Sequence, residues 1–429
     1  MTVPKLPQLI YSFHNNTTFR NGALFSLFSF VNRGFSFLLM LVLANYITPA
    51  EYGYLSLFGT VVMVVGYFIS MSSDGYLSVT FFLDGKEGVK NCFSSILYTT
   101  IIVSVVSFLV IFLAGDRLSE ALEFPKYSLY LAVVICFFTV YTNLNLDLFR
   151  LQERVKIYGF FTLTNALLNF ILSIILVKHF LLGWEGRVYA QVLCFTIFGL
   201  IGIYYFARRG SIGKPNWEYW GAMLAWGIPM IPHVATNFIR QGCDRYIINY
   251  YHSIDDVGLF SFALTIANIL LIVGIGFNQS NSVDIYKVLG ENSLNGKQKS
   301  FKLKKQNRII FIIYFISFVL VLVGACLMLP LLLPEYTGCV KYIPLLTISM
   351  FFNCCYFLYT NFLFYYKKTK WIMYTTVSCS IIHLGLSFAL TRYSLMLTAG
   401  VYCISQLLIM LIIMILAKRI VKERLGVSI

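Results

Sequence analysis

Three arginines stand where arginine is costly. Arg33, Arg240 and Arg245 lie inside long apolar runs at 22–47 and 221–251. A guanidinium in hydrocarbon costs several kcal/mol unless it faces protein interior or a wet cavity. Arg33 sits more than about 15 Å from either end of its run, too far for the side chain to snorkel out. Two chemistries are open to it: an ion pair with Asp74, Asp147 or Asp244, or anion binding, for which a planar fork of donors suits phosphate. In the second run Asn237, Arg240, Gln241 and Asp244 recur at i, i+3, i+4 and i+7 and so share one helical face. Asp244-Arg245 then forms either a gate or ion-coupling group, or a self-neutralising structural pair. Pro229 and Pro232 precede the stripe. They remove backbone hydrogen bonds and bend the helix, as a hinge or as a packing kink.

Other polar residues within the runs are Asn143, Asn145, Asp147, Asn165, Asn169, Asn278, Gln279, Asn281 and Asp284. Residues of this kind join membrane helices to one another, and His383 is assigned a packing role. The ten cysteines lie mostly in apolar runs without metal-ligand spacing, so no disulfide framework and no metal site is expected. There is no phosphate-binding Gly-x-x-x-x-Gly-Lys-Ser/Thr loop, no His-Glu-x-x-His and no extramembrane segment of domain size. ATP-driven, metalloprotease and loop-based catalytic chemistry are therefore not expected, and no catalytic residue is assigned.

These residues must be positioned by membrane helices. The chain has 429 residues, 59% hydrophobic and only 12% charged, against about 25% charged in soluble domains. Apolar runs bounded by charge, Gly or Pro predict twelve spans, and the N-terminus carries no signal-peptide pattern, so residue 1 is taken as mature. With both termini cytoplasmic, 24 Lys and Arg fall on the cytoplasmic side and 6 opposite, which sets the orientation. The net charge of +15 then belongs to a face on anionic lipid, and no nucleic-acid partner is needed. A repeat supports two halves. Asn45-Tyr46, Glu51, Gly53 and Ser56 follow the first span, and Asn249-Tyr250, Asp256, Gly258 and Ser261 follow the seventh. Six spans separate the copies, so the halves are parallel repeats about an axis along the membrane normal. The expected fold is all-α: about 12 transmembrane helices in two pseudo-symmetric six-helix bundles around a central cavity, with domains 1–210 and 211–429.

The opening Asn32-Arg33 with LANYITPAEYGYLSLF, and IPMIPHVATNFIRQGCDRYIINYYHSIDDVGLFSFA in the second half, resemble the O-antigen translocase (polysaccharide biosynthesis protein) branch of the multidrug, oligosaccharidyl-lipid and polysaccharide exporter superfamily. The resemblance extends over the whole chain in layout and is specific near 30–60 and 228–262. It implies a flippase that carries an undecaprenyl-pyrophosphate-linked oligosaccharide from the cytoplasmic to the periplasmic leaflet of a bacterial inner membrane. It implies a cationic lumen, which Arg33 and Arg240 match here, with Asn32, Asn237 and Gln241 beside them as substrate-binding residues. No cofactor is expected beyond H⁺ or Na⁺ coupling, and the expected partners are the lipid-linked substrate, membrane lipids, and a polysaccharide polymerase with glycosyltransferases. Two alternatives stay open: a cation-coupled multidrug exporter of the same architecture, which would favour carboxylates in its cavity, and a membrane polymerase or glycosyltransferase.

Overall fold

The computed structural model describes residues 17–122, 124–213, 216–291 and 293–427. In hydrocarbon every backbone N–H and C=O must be satisfied within its own segment, so apolar runs of this length become helices. They are α1 (Thr17–Leu43), α2 (Pro49–Ser70), α3 (Ser73–Leu83), α4 (Gly85–Leu122), α5 (Lys126–Leu151), α6 (Val155–Ile174) and α7 (Gly183–Arg208). There follow α8 (Trp217–Gln241), α9 (Cys243–Tyr251), α10 (Ile254–Gly290), α11 (Gly296–Leu332), α12 (Ile343–Tyr365), α13 (Thr369–Leu390) and α14 (Leu395–Leu425). No strand occurs among the described residues.

Eleven helical segments among them are long and apolar enough to cross a membrane, with α2 and α3 forming one of these. The twelfth predicted span is α8 with α9. Helix α8 runs through Pro229 and Pro232 without interruption and ends at Gln241. The break falls at Gly242, whose N–H donates to the Phe238 carbonyl at 2.7 Å before α9 begins.

Packing divides the chain into two compact units: 1–46 with 58–235, and 47–57 with 236–429. Residues 211–235 thus lie with the first unit and 47–57 with the second. In the first unit α5 is the inner helix, packed on α3, α4, α6 and α7, while α1 packs on α6. In the second, α12 packs on α10, α11, α13 and α14, while α9 packs on α13. Six spans on, each neighbour relation of the first unit recurs in the second, as two pseudo-symmetric bundles require. The outer helices turn apolar stripes outward, such as Val105, Val106, Leu109, Phe112 and Leu113 on α4 and Phe315, Ile316, Leu320 and Leu327 on α11.

The sequence repeat has a structural cause. Thr48 and Glu51 form a reciprocal cap at the start of α2: the Thr48 N–H donates to the Glu51 carboxylate at 2.8 Å, and the Glu51 N–H to Thr48 Oγ1 at 3.3 Å. Ser253 and Asp256 do the same at the start of α10. The acidic residue of each copy therefore satisfies a helix terminus. Five residues after each cap stands a glycine, and both lie at the contact between these two helix starts. A Cβ on Gly53 would fall 2.3 Å from the Ile254 carbonyl oxygen, and one on Gly258 would fall 1.8 Å from that of Pro49. Each glycine meets the residue four before the other. Tyr336 Oη donates to the Ile47 carbonyl at 2.8 Å, and Tyr52 Oη lies 2.9 Å from Thr265 Oγ1. These bonds anchor residues 47–57 in the second unit.

Candidate functional site

In the first unit, Arg33 projects from the middle of α1 and is exposed. Among the described residues no carboxylate lies within ion-pair distance of it. Asp147 pairs with Arg150 at 2.7 Å, Asp244 pairs with His383 at 3.0 Å, and Asp74 lines a separate cavity of about 300 Å³.

Its neighbour Asn32 faces into the same unit. It lines a cavity of about 380 Å³ enclosed by α1, α5, α6 and α7. Thr142 and Asn143 from α5, Asn165 and Asn169 from α6, and Arg187 and Gln191 from α7 complete its polar wall. Asn165 and Asn169, spaced i and i+4, fall on one face of α6 as the spacing requires. Arg187 is only 9% exposed; its Nη1 donates to Ser173 Oγ at 2.9 Å and to Asn169 Oδ1. Counting charges along the sequence assigns Arg187 to the loop before the sixth span. Helix α7 in fact begins at Gly183 and carries Arg187 inside. The signal available in sequence was the Arg187-Gln191 pair at i and i+4, which continues the helical period one turn before the apolar run.

In the second unit, Asp244 lies at the start of α9 and is 2% exposed. Its carboxylate oxygens lie 3.0 and 3.2 Å from Nε2 of His383 on α13, which is 1% exposed. His383 Nδ1 in turn meets Ser405 Oγ at 3.0 Å, Ser387 Oγ lies 3.5 Å from Nε2, and the Tyr402 ring packs edge-on. His383 is therefore no simple packing residue; it binds the one carboxylate of α9. Consecutive residues on a helix diverge by about 100°, so Asp244 and Arg245 point different ways. Arg245 Nε donates to Ser261 Oγ of α10 at 3.2 Å. Arg240, in the last turn of α8, is half-buried. The side chains of Pro232, Asn237 and Gln241 lie outside the described residues, and Pro229 is exposed. No group of three or more His, Cys, Asp or Glu that could hold a metal occurs among the described residues.

The sequence profile of a polysaccharide biosynthesis protein family matches residues 18–283, and that of the MatE family matches 229–389. Lsg locus protein 1 of Haemophilus influenzae is 23% identical over 362 residues, covering 83% of this chain and 86% of that one. A membrane protein of the same organism is 24% identical over 358 residues, covering 81% and 84%. Among solved structures, an inward-facing MATE family transporter of the MOP superfamily superposes with a TM-score of 0.72 at 15% identity, covering 91% of this chain and 94% of that one. A MOP superfamily transporter from Pyrococcus furiosus, described as having a binding pocket of reversed polarity, gives 0.64 at 14% identity, with 95% and 96% covered. The fold is that of the MOP transporters, and the profile match over more than half its length makes the chain a member of the polysaccharide biosynthesis protein family.

Proposed function

We propose that this membrane protein is a flippase for an undecaprenyl-pyrophosphate-linked oligosaccharide of the O-antigen type. It moves the repeat unit from the cytoplasmic to the periplasmic leaflet of a bacterial inner membrane by alternating access, with both termini cytoplasmic. The observation that carries this reading is Arg33: a mid-span guanidinium presented off α1 with no carboxylate partner among the described residues. A diphosphate crossing hydrocarbon needs cationic donors along its way, and arginine supplies them in a bidentate fork. Arg33 and Arg240 bind diphosphate in the course of transport, while Asn32, Asn237 and Gln241 bind sugar. Asp244 and Arg245 form the gate or ion-coupling group, for H⁺ or Na⁺, with His383 against Asp244; and Pro229 and Pro232 serve as the hinge of α8. The protein works between glycosyltransferases that assemble the unit and a polymerase that consumes it, in lipopolysaccharide synthesis, and it catalyses no covalent step itself.

The MatE match favours a second reading, a cation-coupled exporter of drugs. Cationic drugs call for open carboxylates: Asp74 is exposed and lines a cavity of about 300 Å³, whereas the buried Asp244 is held by His383.

Complementation tests the proposal by measuring surface polysaccharide and protein abundance in the same membranes. Arg33→Ala or Arg240→Ala abolishes export at normal abundance, and lysine at either position restores part of it, keeping charge without the fork. Normal export in both alanine variants overturns the proposal.

A further inference from the structure

We infer that the cavity inside the first unit is the receptor for a carboxylate-bearing sugar of the transported unit, a hexuronic acid or its chemical equivalent, with Arg187 as its anion anchor. The inference rests on the flippase reading and names the substrate feature that this unit selects.

Arg187 has five N–H donors. Both hydrogens of Nη1 are committed, to Ser173 Oγ and Asn169 Oδ1. Nε and Nη2 have no partner among the described residues, yet neither is a sealed, unsatisfied atom. The side-on edge of the guanidinium, the fork that matches two carboxylate oxygens, is therefore left to the cavity that Arg187 lines.

Nothing acidic neutralises it. None of the described residues lining the cavity is Asp or Glu. Arg187 thus holds a buried positive charge with no counter-charge among the described residues that line the cavity, the condition an anionic ligand completes.

The rest of the wall fits a sugar. Thr162 is 4% exposed and lines the cavity. Asn32, Asn143 and Gln191 offer donors and acceptors to hydroxyls, while Phe35 and Phe195 offer apolar faces to the C–H side of a ring. The cavity volume of about 380 Å³ falls in the range of small-molecule sites. A single guanidinium matches the single charge of a carboxylate; a diphosphate carries more charge than this wall can meet.

The test uses the purified full-length protein in lipid nanodiscs, with saturation-transfer NMR of methyl glucuronide, methyl glucoside and inorganic pyrophosphate. Methyl glucuronide binds saturably and at least about tenfold more tightly than methyl glucoside, the discrimination a charge-assisted fork supplies. Pyrophosphate does not displace it. Arg187→Gln abolishes glucuronide binding, and Arg187→Lys keeps part of it. Since Arg187→Gln also loosens the α6–α7 contact, Gln191→Glu provides a second variant: it leaves Arg187, Asn169 and Ser173 intact but brings a carboxylate to the cavity, and it abolishes binding. Equal binding of glucoside and glucuronide, displacement by pyrophosphate, or full glucuronide binding in Gln191→Glu each overturns the inference. Failure of the flippase reading would show elsewhere, as normal export by Arg33→Ala and Arg240→Ala cells, with glucuronide binding still present.

Discussion

Gly258→Ala tests the crossing of the two helix starts directly. A Cβ at this position would lie 1.8 Å from the Pro49 carbonyl oxygen, 2.7 Å from its carbon and 3.1 Å from the Gly53 nitrogen. The obstacle is backbone, so no rotamer change relieves it. Ordinary contact begins at 3.4 Å, and α2 and α10 would have to part by about 1.6 Å. Overpacking of this kind costs about 1–3 kcal/mol. Parting the helices also strains the Tyr336–Ile47 and Tyr52–Thr265 hydrogen bonds, each contributing about 1 kcal/mol. Against this, replacing a helical glycine by alanine returns about 0.5–1 kcal/mol. The net is a destabilisation of about 2 kcal/mol, which for a chain of this length lowers the melting temperature by about 2 °C. Gly276 in the same helix has nothing within 4 Å of an added Cβ, so Gly276→Ala isolates the propensity gain and raises stability slightly. The assay is thermal unfolding of the detergent-solubilised protein, all variants in parallel. If Gly258→Ala melts with the wild type, or Gly276→Ala falls as far, the close approach does not stabilise the fold and the reasoning fails.

The buried Asp244–His383 pair predicts a strong non-additivity. His383→Leu leaves a carboxylate uncompensated and costs about 3–5 kcal/mol, while Asp244→Leu with His383→Leu costs much less; additive losses in thermal unfolding would refute the pairing. Asp244→Asn keeps a hydrogen-bonding partner for His383 but removes the carboxylate charge, so abundance is retained and export lost; normal export would leave the pair a structural role only. Cys339, in the short segment between α11 and α12, is buried, and its thiol is pushed up to about 12. As the only cysteine left in the chain, it resists maleimide in the native protein near the ordinary thiol value of about 8.5 and reacts after denaturation; rapid native labelling would contradict its burial. Asp255→Cys and Lys297→Cys, both at exposed positions, label from the periplasmic and the cytoplasmic side respectively, and labelling of both from one side would overturn the orientation drawn from charge.

Periodicity and charge made the helices legible, because a membrane span must satisfy its own backbone whatever surrounds it. The repeat was legible too, although not its cause. Glu51 and Asp256 align in sequence because each closes a helix cap, and Gly53 and Gly258 because each admits the other's backbone. Neither fact can be seen without the crossing. His383 shows the limit of local reasoning: its partner lies 139 residues away, and a lone span histidine has the same sequence signature whether it packs or binds a carboxylate. Arg187 shows a different limit. Charge counting treats a basic residue at the end of an apolar run as a loop residue, since most such residues reach water. Here α7 starts four residues earlier, at Gly183, and turns Arg187 toward Asn169 and Ser173 instead. The three arginines singled out by depth in the sequence were found because hydropathy surrounds them on both sides. Arg187 is hidden from that criterion by lying at the margin, where the cost of burial depends on which way one helical turn faces. Depth along the chain and enclosure in the fold are separate variables, and only the second leaves a guanidinium edge with nothing but a cavity before it.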